Sequence, residues 1–109
     1  MRLRTLCKLA HEISVNHGWY NPEKSLGESL LLMHSEISEV TEEYRAGRTP
    51  TEIYVSNGGK PEGIPIEIAD LFIRAADFCE HYGIDLDEAV EMKMRYNQSR
   101  PFRHGGKTI

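Results

Sequence analysis

Two pairs of carboxylates in this chain sit at the same short spacing. Glu36 and Glu39 are three residues apart in "HSEISEVTEEYR", and Glu67 and Asp70 are three apart in "IEIADL". On a helix, a step of three puts side chains one turn apart on one face. If the two segments are helices that pack together, four anions meet in a partly buried groove. Left alone they repel, and must protonate or destabilise the fold. A divalent cation removes the conflict. Ligation by oxygen alone, without His or thiolate, selects a hard ion, Mg²⁺ or Mn²⁺. Glutamate-rich helix faces are often only solvated, so the argument rests on the second pair. A ferritin-like di-iron site would need an E-x-x-H step; no glutamate here has a histidine three residues on.

A second constellation has the opposite sign. All 17 acidic residues lie at or before Glu91, whereas Lys93, Arg95, Arg100, Arg103 and Lys107 follow it. The formal net charge of −4 thus hides an acidic body and a basic end, and argues against a general duplex-DNA binder. Lys93, Asn97 and Arg100 again follow helical steps. With Arg103, His104, Lys107 and the Gly105-Gly106 amides they suit phosphate oxygens; a polar, frayed terminus is the plainer alternative. A metal-bound polyphosphate satisfies both constellations, the ion meeting some oxygens and the cations the rest.

Helices must position these groups. Residues 2–16 carry Leu3, Leu6, Leu9, Ala10 and Ile13 at helical spacing. Ser25, with Glu28 three on, predicts the cap of a helix reaching about Ala46, with Gly47 as its stop. Its expected core stripe is Leu26, Leu30, Met33, Ile37, Val40 and Tyr44, flanked by Glu36 and Glu43, with Leu31 and Leu32 outside it. Residues 48–65, with Gly58-Gly59 and three prolines, read as a long connector of the kind that is functional or mobile. A third helix is expected from near Pro65 to about Tyr82, and Asp85 caps a fourth that Pro101 stops. "FRHGGKTI" reads as an irregular tail, and no segment reads as a convincing strand. The class is therefore all-α: a single domain over 1–109, a compact four-helix bundle with a basic tail at about 100–109.

At these residues the chain resembles the MazG-like nucleoside triphosphate pyrophosphohydrolases, over about Leu26 to Lys107. The family pattern is E-E-x-x-E followed by E-x-x-D. Here it reads Ser35-Glu36-Ile37-Ser38-Glu39 and Glu67-Ile68-Ala69-Asp70, with Ser35 in place of the first glutamate. The stretches "KPEG", "EIAD", "GIDL" and "NQSRPFRHGGK" add to the likeness. The resemblance implies an all-α, Mg²⁺-dependent enzyme that cleaves (d)NTPs to the monophosphate and pyrophosphate. It implies metal ligation by Glu36, Glu39, Glu67 and Asp70, and nucleotide contacts from Lys93 and Asn97 on the last helix.

On this expectation a metal-polarised water attacks phosphorus in line. Glu39, or Glu36 beside it, orients or deprotonates that water, and Lys93, Arg100 and Arg103 offset the leaving charge. Trp19 stacks on the base, or with Tyr20 forms a lid over the bundle. His34 packs or faces solvent, and Asp77 extends the acidic site or, the preferred reading, pairs with Arg74 or an interhelical partner. Two rivals stand beside the reading: hydrolysis of phosphoribosyl-ATP, and a non-catalytic helical module binding nucleotide or RNA through its basic end.

The expected partners are a nucleoside triphosphate and further copies of the chain, as a homodimer or homotetramer. No stable nucleic-acid partner and no membrane partner is expected. Leu31, Leu32 and Phe72 are the surface expected to associate. Cys7 and Cys79, both among apolar neighbours and in no CxxC pattern, read as buried reduced thiols of a cytoplasmic protein. The N-terminal stretch does not read as a secretory signal.

Overall fold

The computed structural model describes residues 1–109 and is built of helices. α1 spans Leu3–Asn16, α2 Leu26–Arg45, α3 Ile64–His81 and α4 Leu86–Ser99; α5, Arg103–Gly106, is one turn. The caps act as their residue types dictate. Ser25 Oγ accepts the backbone N–H of Glu28, and Asp85 Oδ1 that of Glu88 at 3.0 Å. Pro65 lies in the first turn of α3, where a missing N–H costs nothing. No helix is long and apolar enough to cross a membrane.

α3 is the central element, with α1 packed on one side and α2 on another. The contact between α1 and α3 is made of small residues, Cys7 and Ala10 against Ala76 and Cys79, closed by Leu6 and Leu86. Short side chains one turn apart on both helices let the backbones approach closely. Burial pushes both thiols above the usual cysteine range, as a pair of inert core groups requires.

The connector between α2 and α3 holds a two-residue antiparallel ladder, Tyr54–Val55 (β1) against Pro61–Glu62 (β2), which periodicity could not reveal in so short a run. Tyr54 anchors it. The phenol donates to both carboxylate oxygens of Glu43, at 3.0 and 2.9 Å, and the Arg48 guanidinium lies 3.6 Å from its ring centre. Gly63 then turns the chain into α3 at φ 123°; a Cβ there would stand 2.3 Å from the Glu52 carbonyl oxygen. Only glycine fits both the angle and the approach.

Three expectations are corrected. The face of α2 turned to α3 carries Ser29, Leu32, Met33, Glu36, Val40 and Glu43, while Leu26, Leu30, Ile37 and Tyr44 are exposed. The helix is rotated from the apolar stripe, so Glu36 sits inside the contact face and not on its flank. The tail is not wholly irregular: residues 103–106 form a turn with positive φ at each residue. The chain is also less compact than a closed bundle. Its radius of gyration is 16.6 Å, against about 13 Å for a compact domain of this length. α4 causes this: it packs mainly on α1, and none of its residues is buried.

Candidate metal centre

α2 and α3 bring Glu36, Glu67 and Asp70 together. One carboxylate oxygen from each lies within 4.8 Å of the others. The local reason is periodicity. Glu67 and Asp70 are one turn apart on α3, Glu36 faces them from α2, and the Gly63 turn fixes where α3 begins. Glu36 is 8% exposed and Glu67 9%, so two of the three have left most of their water behind.

The electrostatics follow. Burial raises the Glu67 carboxyl above its ordinary range, and the negative charges of Asp70, Glu39, Glu36 and Glu43 push it the same way. Burial and Glu36 raise Asp70, against the opposing pull of Arg74 and Lys60. Glu39, the fourth residue of the motif, is exposed and lies outside the trio, yet near enough to act on Glu67. The remaining motif-flanking acid, Glu43, is committed to Tyr54.

The donor set fits a hard divalent cation. Three anionic oxygens share one location and no nitrogen or sulfur is among them.

The cluster borders a cleft of about 500 Å³. Glu36, Asp70, Asp77 and Arg74 line it, together with Trp19, Lys24, Ile13 and Ile73. Lys24 Nζ lies 5.7 Å from the Trp19 ring centre and 5.2 Å from that of Tyr20. The cleft thus offers an aromatic ring, cations and carboxylates to a single ligand.

Arg74 and Asp77 take different partners. Arg74 Nε donates to Glu36 Oε1 across the α2–α3 contact. Asp77 Oδ1 accepts from His11 Nδ1 of α1 at 2.8 Å and from the Tyr20 hydroxyl at 2.9 Å. Of the two pairings open to Asp77, the interhelical one forms. Tyr20 stacks on His81, ring centres 4.3 Å apart, and burial with donation to Asp77 holds its phenol well above the usual range. Tyr20 is therefore a structural partner of α1 and α3, whereas Trp19 is 63% exposed and lines the cleft. His34 faces solvent.

The basic end is elsewhere within one chain. Lys93, Asn97, Arg103, His104 and Lys107 are exposed, Arg100 is half-buried, and none lines the cleft. Lys93 and Arg100 lie over the Tyr96 ring, at 4.9 and 5.5 Å. The cations that stand at the acidic cluster are instead Arg74 and Lys60, with Lys24 across the cleft. For Arg74 a sequence signal existed, its place four residues after Asp70 on the same helix. Lys60 opens the "KPEG" stretch, but its place near Asp70 had no local signal, because it follows from the turn between β1 and β2. No protein-family model, curated protein or solved structure matches this chain.

Proposed function

We propose that this chain is a metal-dependent nucleoside triphosphate pyrophosphohydrolase, releasing the monophosphate and pyrophosphate. The observation that carries the reading is the convergence of Glu36, Glu67 and Asp70 at the edge of a cleft that also holds Trp19 and Lys24. A triphosphate ligand needs both a place for a hard cation and a place for a base, and this cleft offers them side by side.

Glu36, Glu67 and Asp70 would hold Mg²⁺ or Mn²⁺. When bound, the ion neutralises phosphate oxygens and lowers the pKa of a coordinated water. Glu39 is exposed at the edge of the trio, free to orient a water for in-line attack or to take its proton. Trp19 presents a face for the base, and Lys24 a cation near it. Lys93, Asn97, Arg100, Arg103 and Lys107 do not line their own cleft, and on this reading they meet the triphosphate from a second copy. The assembly is a homodimer or homotetramer.

The test is pyrophosphate release across an NTP and dNTP panel with Mg²⁺. Turnover of at least one nucleotide is expected, with Glu39→Gln lowering kcat by about 10²–10⁴-fold while leaving the metal's effect on Tm intact. No turnover of any nucleotide would overturn the assignment. The exposed basic residues at the C-terminal end, Lys93, Arg103 and Lys107, favour a second reading, a non-catalytic module that binds nucleotide or RNA there. RNA binding that survives Glu67→Gln, without turnover, would mark it.

A further inference from the structure

Among the cations around the trio, Arg74 is the one joined to a motif carboxylate. Its Nε donates to Glu36 Oε1, while Nη1 and Nη2 make no hydrogen bond within the protein. The guanidinium is therefore half engaged. Its side chain is 40% exposed while that of Glu36 is 10% exposed, so of the two partners the arginine is the one open to solvent. Arg74 also lines the cleft, as do Glu36, Asp70 and Trp19. It stands four residues after Asp70 and seven after Glu67 on α3, one face of one helix.

A buried carboxylate left without a partner is costly, and Arg74 supplies that partner to Glu36. A divalent cation on the same carboxylate removes the need for the arginine and repels it. The freed guanidinium then lies in a cleft with all its donors open, a fork suited to phosphate oxygens.

We infer that Arg74 is the exchangeable counter-ion of this centre: it neutralises Glu36 while no metal is present and passes to the phosphate oxygens of the substrate once a cation takes that carboxylate. The inference rests on the metal-dependent reading above. Its consequence is coupling. Metal alone must displace Arg74 and binds less tightly than the carboxylates would allow. Metal with polyphosphate regains the lost pairing, so each tightens the other.

Calorimetric titration of Mn²⁺, then of inorganic tripolyphosphate in saturating Mn²⁺, tests this on the wild type, Arg74→Gln and Arg74→Lys. Arg74→Gln is expected to bind Mn²⁺ alone more tightly but tripolyphosphate about tenfold or more weakly, the loss of a charge-assisted contact. Its metal-free Tm falls and Mn²⁺ restores it. Arg74→Lys keeps the charge and loses the fork, giving intermediate values. Weakening of both ligands in Arg74→Gln would make Arg74 a fixed support for Glu36 and overturn the exchange. Tighter Mn²⁺ with unchanged tripolyphosphate would make it a bystander and overturn the exchange equally. Glu67→Gln separates the two levels: if it leaves Mn²⁺ binding intact, the metal centre itself is misplaced and the exchange falls with it.

Discussion

Glu67 and Asp70 carry a conflict that the metal-free protein holds in place. Both carboxyls have folded-state pKa values raised by burial and by neighbouring negative charge. The folded chain therefore binds protons where the unfolded chain has released them, and stability falls as pH rises through that window. There is no penalty below the ordinary values, 4.5 for Glu67 and 3.8 for Asp70. It grows between those and the raised values and is complete above them. Metal-free protein is accordingly expected to lose Tm as pH rises above about 4, by this contribution. Glu67→Gln and Asp70→Asn should flatten that slope and raise the metal-free Tm at pH 7. Mg²⁺ at about 100 times its Kd should add ~2.7 kcal/mol to the wild type and nothing comparable to either variant. Thermal melts across pH, with and without Mg²⁺, check all three. An unchanged metal response in both variants would move the site elsewhere.

At the scale of elements, the centre depends on where α3 starts. Gly63 sets that point, since its φ and its approach to the Glu52 carbonyl exclude any Cβ. Gly63→Ala is expected to destabilise the fold by about 1–3 kcal/mol, the range for a side chain forced into such a conformation. It should also weaken Mn²⁺ binding, because Glu67 lies in the turn just beyond. Chemical denaturation and calorimetry read the two effects separately; loss of neither would show that the β1–β2 connector does not fix the helix. Glu43 and Tyr54 belong to the same device. The glutamate-rich run of α2 is thus divided: Glu36 goes to the centre, Glu39 to its edge and Glu43 to the connector. Spacing alone treats them as equivalent. The structure separates them because α2 meets α3 through the Glu36 face and meets the connector further along, at Glu43.

The whole chain exposes more than a finished monomer should. Its accessible surface is 8436 Å², against about 6,200 Å² expected for a folded monomer of 12.5 kDa. Leu30, Ile37 and Tyr44 repeat at intervals of seven along α2 and are 42%, 51% and 70% exposed. Leu31 and Phe72, named from sequence as association surface, are 68% and 56% exposed, whereas Leu32 faces the cleft. A seven-residue apolar repeat is the seam by which one helix receives another. On the proposed assembly a second copy covers it and carries its basic end to the acidic cleft. Sedimentation should give a dimer or larger species. Ile37→Glu should shift it toward monomer and cut turnover, since Lys93 and Arg100 then lose their cleft. A monomeric wild type would refute that arrangement.

Much of this was legible in the chain itself. Caps at Ser25 and Asp85, the glycine stop at Gly47, and the two carboxylate pairs are local signals, and local signals set where helices begin, end and repeat. Rotation of a helix about its own axis is not local. It depends on which faces pack, and in α2 two apolar faces compete; sequence favoured the longer stripe, while the fold turned the shorter one, with Glu36, toward α3. The same holds for charge partners. Arg74 with Glu36, Asp77 with His11 and Tyr20, and Lys60 near Asp70 join residues on different elements, and only the packing of α1, α2 and the connector on α3 selects them.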